Sequence, residues 1–215
     1  DPLTEKILDP SNDTYISATT YPSLKTYPSG AKGIVSVFES GATPYVWKTA
    51  NFTRPASSNL QVYELLIRDF VADRRYKTVA DSLGYLKKLG INAIELMPVA
   101  EFSGNDSWGY NPIFYTAPDK AYGTKNDLKY LIDKCHENGI AVIMDIVLNQ
   151  ADYENPYVKM YWDGSKPLAS SPFFNPSATH PYSVFFDFNH ESTHTQWLVD
   201  VVTKFWLQEY KIDGY

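Results

Sequence analysis

Three short segments hold the residue types that could do chemistry. They are Trp108-Gly109-Tyr110-Asn111-Pro112, Asp145-Ile146-Val147-Leu148-Asn149-Gln150 and Lys211-Ile212-Asp213-Gly214-Tyr215. Asp145 sits within an apolar run, where an unpartnered carboxylate would cost several kcal/mol. It therefore needs partners or a place among loops; otherwise the segment is a polar strand end satisfied by its own loop backbone. Trp108 and Tyr110 flank a glycine that frees the backbone to aim its neighbours. Such a pair makes a platform for flat C–H faces such as a sugar ring, or an aromatic staple that packs a long loop. His190-Glu191-Ser192-Thr193-His194 matches H-E-x-x-H, which holds zinc only when both histidines share one helix face. Ser192 is the best helix N-cap, so His190 falls outside the helix and that geometry fails.

These segments need elements to position them. Residues 1–57 are rich in Ser, Thr, Pro and Tyr. They read as a β-rich segment, with strands at Gly33–Glu39 and Tyr45–Trp47. From residue 58 the pattern changes to strand–helix alternation. Strands are expected at Gln61–Ile67, Ile91–Pro98 and Ile140–Leu148, and a fourth begins at Lys211–Gly214. The intervening helices carry Val79, Leu83, Leu86 and Leu89, then Leu128, Leu131 and Ile132, then Leu198, Val201, Val202 and Phe205. Thr124 and Asp127 form a capping box, and Gly90 and Gly139 end helices. A polar, aromatic loop of about 25 residues follows the second strand, long enough to suspect function. An irregular insertion spans 149–190. Repeated strand-then-helix units imply an α/β fold with a parallel sheet, here the N-terminal half of an eight-stranded barrel. Four strands leave two unpaired edges, through which this chain could self-associate.

Composition narrows the possibilities. The chain has 215 residues, 44% hydrophobic and 20% charged, with a net charge of −6 and scattered basic residues. That balance offers no footprint for nucleic acid and suits a neutral polymer or small molecule. No apolar run approaches a membrane span of roughly 20 residues. The start lacks the basic and apolar parts of a signal peptide, and the compartment stays open, a secreted or periplasmic location included. Cys135, the only cysteine, sits in a helical apolar stripe and reads as a buried hydrophobe.

Taken in order, Gly90–Pro98, Trp108–Pro112, Asp145–Gln150 and Ile212–Tyr215 resemble the α-amylase family of glycoside hydrolases, family 13, over about residues 60 to 215. The segment before them is similar to the immunoglobulin-like domains of starch-active members. By this resemblance the substrate is an α-glucan or maltooligosaccharide. Tyr110 would stack on the sugar at the scissile bond, with Trp108, Asp145, Gln150 and Asp213 around the same hollow. Asn149 and Asp187 resemble ligands of a structural calcium, and no organic cofactor is implied. Gln150 departs from the histidine usual there, and loses the capacity for positive charge. The family's nucleophile and acid/base are expected beyond Tyr215, so the resemblance assigns no catalytic carboxylate to this chain and predicts that it is inactive by itself. The implied reaction is retaining cleavage of α-1,4-glucosidic bonds, with glucan branching by transglycosylation or a non-catalytic glucan-binding module as alternatives.

Overall fold

The computed structural model describes residues 1–215. Its centre is a parallel sheet built from β3 (Val62–Leu65), β4 (Ala93–Leu96) and β7 (Ala141–Met144), in the order β3-β4-β7. Val62 pairs with Ala93 and Ala93 with Ala141, so the three strands start level. A fourth strand begins beside β7. The Asp213 N–H donates to the Val142 carbonyl at 2.8 Å, and Gly214 bridges Ile143 in parallel. The sheet does not close, so the barrel expected from the strand–helix alternation is present as an open part of one.

Strand alternation divides the sheet into two faces. Leu65, Ile94, Leu96, Val142 and Met144 point to the helices and are buried. On the opposite face, Glu64 is exposed while Glu95, Ile143 and Asp145 are half-buried. The helical layer holds α1 (Ile67–Phe70), α2 (Tyr76–Asp81), α3 (Leu83–Lys88) and α4 (Lys125–Glu137). The single helix expected across Val79–Leu89 is broken at Ser82, whose hydroxyl donates back to the Thr78 carbonyl at 3.0 Å and competes with the helix ladder. α4 starts on the expected capping box: Thr124 Oγ1 accepts from the Asp127 N–H, and Asp127 Oδ2 accepts from the Thr124 N–H. It stops at Gly139, which adopts φ +74°, a conformation glycine tolerates without strain. Cys135 is fully buried in this helix, and burial raises its thiol pKa, as befits a packing residue.

The stretch expected as a long loop after β4 is instead an antiparallel hairpin, β5 (Ala100–Phe102) with β6 (Pro112–Pro118). Its run Ile113-Phe114-Tyr115-Thr116-Ala117 is buried at every position and has the β-branched and aromatic content of a strand. The insertion contains β8 (Gln150–Ala151), α5 (Pro156–Lys159) and β9 (Phe186–Asp187), with β8 and β9 antiparallel. α6 (Thr193–Glu209) begins at the expected cap, with Ser192 Oγ accepting from the His194 N–H. Its buried stripe is Leu198, Val202 and Trp206, while Val201 and Phe205 lie half-buried at its margin.

Residues 1–57 form one antiparallel pair, β1 (Ile7–Leu8) with β2 (Val35–Ser36), and are otherwise irregular. Ile7 packs against Ile113, Phe114 and Ala117 of the hairpin, so this segment shares its core with the α/β part instead of closing a sandwich of its own. The strand expected at Tyr45–Trp47 does not form. Just past it the Lys48 and Thr49 N–H groups donate to the Asp133 carboxylate on α4, as does the Tyr45 hydroxyl, so the chain there is held by α4 and not by a strand partner. No helix is long and apolar enough to cross a membrane.

Candidate functional site

At the carboxyl ends of the strands, three acidic side chains converge. Glu64 (β3), Glu95 (β4) and Asp145 (just after β7) bring carboxylate oxygens within 4.8 Å of one another. Glu64 and Glu95 are paired neighbours across the two strands, so their approach follows from register alone. Partial burial, and then the charges of Glu64 and Asp145, raise the Glu95 carboxyl above its ordinary value. Sequence reading passed over both glutamates. Their signal was a charged residue on the face of each strand that carries Asp145, visible once the three strands are aligned.

Tyr110 closes this group. Its hydroxyl donates to Asp145 Oδ2 at 2.5 Å, which satisfies the partner requirement set by the apolar run before Asp145. Burial and then this bond to Asp145 push the phenol above its usual range. The loop geometry depends on Gly109. It adopts φ +90°, and a Cβ there would lie 2.5 Å from the Pro98 carbonyl oxygen, so the chain passes directly against the end of β4. Ser107 and Asn111 close the loop with a short side-chain hydrogen bond, and Asn111 Nδ2 donates to the Ser103 carbonyl. Arg68 Nη1 ties the outer arm to Asp106 at 3.1 Å. Trp108 is 59% exposed at the tip, so it does not staple the loop to the body.

Gln150 is buried, and its side chain is already committed. Nε2 donates to the Tyr110 carbonyl at 2.9 Å, Oε1 accepts from Asn149 Nδ2 at 2.8 Å, and the main-chain carbonyl accepts from the Tyr115 hydroxyl at 2.7 Å. It braces Tyr110 from behind. Asp213 is not part of the group. Gly214 is level with Ile143, so Asp213 lies about 10 Å before Asp145 along the sheet. Its carboxylate meets His136 Nε2 at 2.9 Å and accepts from the Val142 N–H at 2.7 Å, while Arg54 donates to its carbonyl. Of Tyr110, Asp145, Gln150 and Asp213, expected around one hollow, the structure brings the first three together through hydrogen bonds and leaves Asp213 apart. Asp213 anchors the amino end, because the strand starts there. A hollow of about 600 Å³ at that end, lined by Arg54, Leu60, Ile143 and Gly214, contains none of the other three.

The calcium expectation meets a similar obstacle. The structure does bring the two segments together, with the Phe188 N–H donating to the Asn149 carbonyl at 3.0 Å. Yet the Asn149 amide donates to Gln150, and Asp187 accepts from Asn175 Nδ2 at 2.7 Å and faces His180 Nε2 at 3.1 Å. Calcium takes oxygens at about 2.3–2.6 Å, and both carboxylate oxygens of Asp187 face N–H donors. Asp187, already held by these donors, does not fit the ion as it stands. His190 lies before α6, with Nε2 donating to the Leu148 carbonyl at 2.7 Å, so the H-E-x-x-H match builds no zinc site.

Comparison with known proteins agrees with the fold. Residues 75–213 match the family model for the alpha amylase catalytic domain. A malto-oligosyltrehalose trehalohydrolase of Saccharolobus solfataricus is 28% identical over 195 residues, which cover 90% of this chain and 33% of that protein. A 1,4-alpha-glucan branching enzyme of Saccharophagus degradans is 29% identical over 201 residues, 87% of this chain and 27% of the enzyme. The chain thus spans a third or less of these curated relatives. Among solved structures, a putative alpha amylase from Salmonella typhimurium aligns with TM-score 0.70 and 29% identity, covering 85% of this chain and 29% of that one. The matched model covers more than half of the chain, and the Tyr110–Asp145 pair sits at the carboxyl rim of the strands it matches. The chain therefore belongs to the α-amylase family, glycoside hydrolase family 13, and spans part of its catalytic domain.

Proposed function

We propose that this chain supplies one side of the glucan-binding rim of an enzyme that cleaves α-1,4-glucosidic bonds in starch, glycogen or maltooligosaccharides with retention. The observation that carries the reading is the Tyr110 hydroxyl on Asp145 at the carboxyl end of the sheet. It holds the phenol ring at a fixed angle beside an open face. In this reading the ring stacks on a sugar, Trp108 extends the platform, and Gln150 contributes by holding the Tyr110 backbone. Cleavage passes through an oxocarbenium-like state, and a rim carrying Glu64, Glu95 and Asp145 favours the positive charge that develops there. Retention requires an attacking carboxylate and a protonated one about 5–5.5 Å apart, and the reading assigns neither role to a residue of this chain.

A sibling reaction uses the same rim. The similarity to a branching enzyme supports transfer to a sugar hydroxyl in place of water. A division at about residue 57 remains in the reading, now between a largely irregular N-terminal segment and a barrel part, supported by the change from irregular chain to strand–helix alternation. Self-association of the isolated chain also remains, since β3 forms one free edge of the sheet.

Maltoheptaose binding, followed by tryptophan fluorescence, tests the rim. Tyr110→Ala is expected to weaken binding about tenfold, the equivalent of one lost ring contact. The 215-residue chain is expected to release no reducing ends from starch, while a polypeptide that extends it through a complete barrel does. Unchanged affinity in the variant, or turnover by the 215-residue chain, would overturn the reading. Transfer products without hydrolysis in the extended polypeptide would select branching.

A further inference from the structure

We propose that Asn175, His180 and Asp187 form a positioning clamp that replaces, with protein donors, the calcium that the family resemblance implies. Asp187 is only 7% exposed, so its charge needs partners. Asn175 Nδ2 donates to Asp187 Oδ2 at 2.7 Å and also faces the Phe188 carbonyl at 3.3 Å, which uses both amide hydrogens. The Thr179 N–H adds a longer contact at 3.4 Å. On the other oxygen, His180 Nε2 stands 3.1 Å from Oδ1. A carboxylate can only accept here, so Nε2 carries the hydrogen. Nδ1 in turn accepts from the Tyr182 N–H at 3.2 Å, so it carries none. The two bonds together specify one neutral tautomer, held at both ends. A cation at Asp187 would have to compete with these donors for both oxygens.

The clamp reaches the candidate site through backbone pairing. The Asn175 N–H donates to the Asp187 carbonyl at 2.9 Å, which lays residues 173–175 beside β9. On the other side of β9, Asp187 pairs with Gln150 of β8. Three extended pieces thus lie side by side: the cluster ties the Asn175 piece to β9, and backbone pairing joins β9 to β8. Gln150 then braces Tyr110. The bearing on glucan contact rests on the proposed function, through Gln150, whereas the clamp itself can be tested without any glucan.

The decisive measurements use the 215-residue protein, its thermal melting and its amide exchange. Wild type is expected to melt at the same temperature in calcium chloride and in EDTA. His180→Ala should lower Tm by about 2–4 °C, the size set by one lost charge-assisted hydrogen bond in a chain of this length. The same variant should speed exchange of the Phe188 amide about tenfold, because that amide closes the pairing to Asn149. His180→Gln keeps a donor within reach of Asp187 and should restore slow exchange, a rescue that lost packing alone would not produce. A lower Tm in EDTA, unchanged Phe188 exchange in His180→Ala, or failure of glutamine to rescue would each overturn the clamp. Loss of maltoheptaose binding by wild type would instead count against the proposed function alone.

Discussion

The two ends of the central sheet treat their carboxylates in opposite ways. At the amino end, Asp213 meets His136 and the Val142 N–H, and the Phe52 ring stacks on His136 at 4.2 Å. Nearby, Asp133 accepts from two backbone N–H groups and a tyrosine hydroxyl. Burial alone would raise the Asp133 carboxyl, but these donors outweigh it and hold the group below its ordinary value. At the carboxyl end, Glu64, Glu95 and Asp145 crowd together, and Glu95 is raised. One end spends its polar groups on order, while the other keeps like charges close and open. Such uncompensated crowding marks sites more often than scaffolds, since folding gains nothing from it.

The largest expected effect lies at the amino end. Asp213→Ala leaves His136 and the Val142 N–H without their shared acceptor in a mostly buried setting, and should cost about 3 kcal/mol in a urea melt. It should leave the Tyr110 loop in place, and an equal loss of maltoheptaose binding would break the separation of the two ends. Next comes Gly109→Ala. The positive φ and the contact with Pro98 together predict a loss of about 2 kcal/mol. Here binding should fall more steeply than stability, because the displaced segment carries Tyr110. A variant as stable as wild type would show that the loop approaches β4 less closely than described.

The same two ends explain what sequence reading could reach. The strand–helix alternation, the Thr124–Asp127 box and the Ser192 cap are local patterns, and local hydrogen bonds enforce them. Tyr110 with Asp145 was legible because both lie where loops leave strands. Asp213 was misplaced because strand polarity, not residue type, decides which rim a side chain joins, and the register with Ile143 appears only in three dimensions. Tyr45–Trp47 had strand composition, yet Asp133, far along the chain, captured the neighbouring N–H groups. The Glu64–Glu95 approach required pairing two strands separated by a helical layer. Gln150 was expected at the sugar, but its donor and acceptor found partners within the fold first.

The smallest predicted effect is the most direct probe of the crowded rim. Glu95 has an ordinary carboxyl value of 4.5 when unfolded and a higher one when folded. Between those values the native chain binds more protons than the unfolded chain, so stability falls as pH rises through the folded value. The contribution of Glu95 is fully present below about pH 4.5 and is lost as pH rises through the higher folded value. Glu95→Gln removes a like charge from the Glu64 pairing and should stabilise the protein at pH 7 by roughly 0.2–1 kcal/mol. Urea midpoints taken from about pH 7 down to pH 4 should show that advantage shrinking, as the wild-type carboxyl takes up its proton. A variant less stable than wild type at pH 7 would mean that Glu95 has a cationic partner in solution, and the contrast between the two ends would fail at its centre.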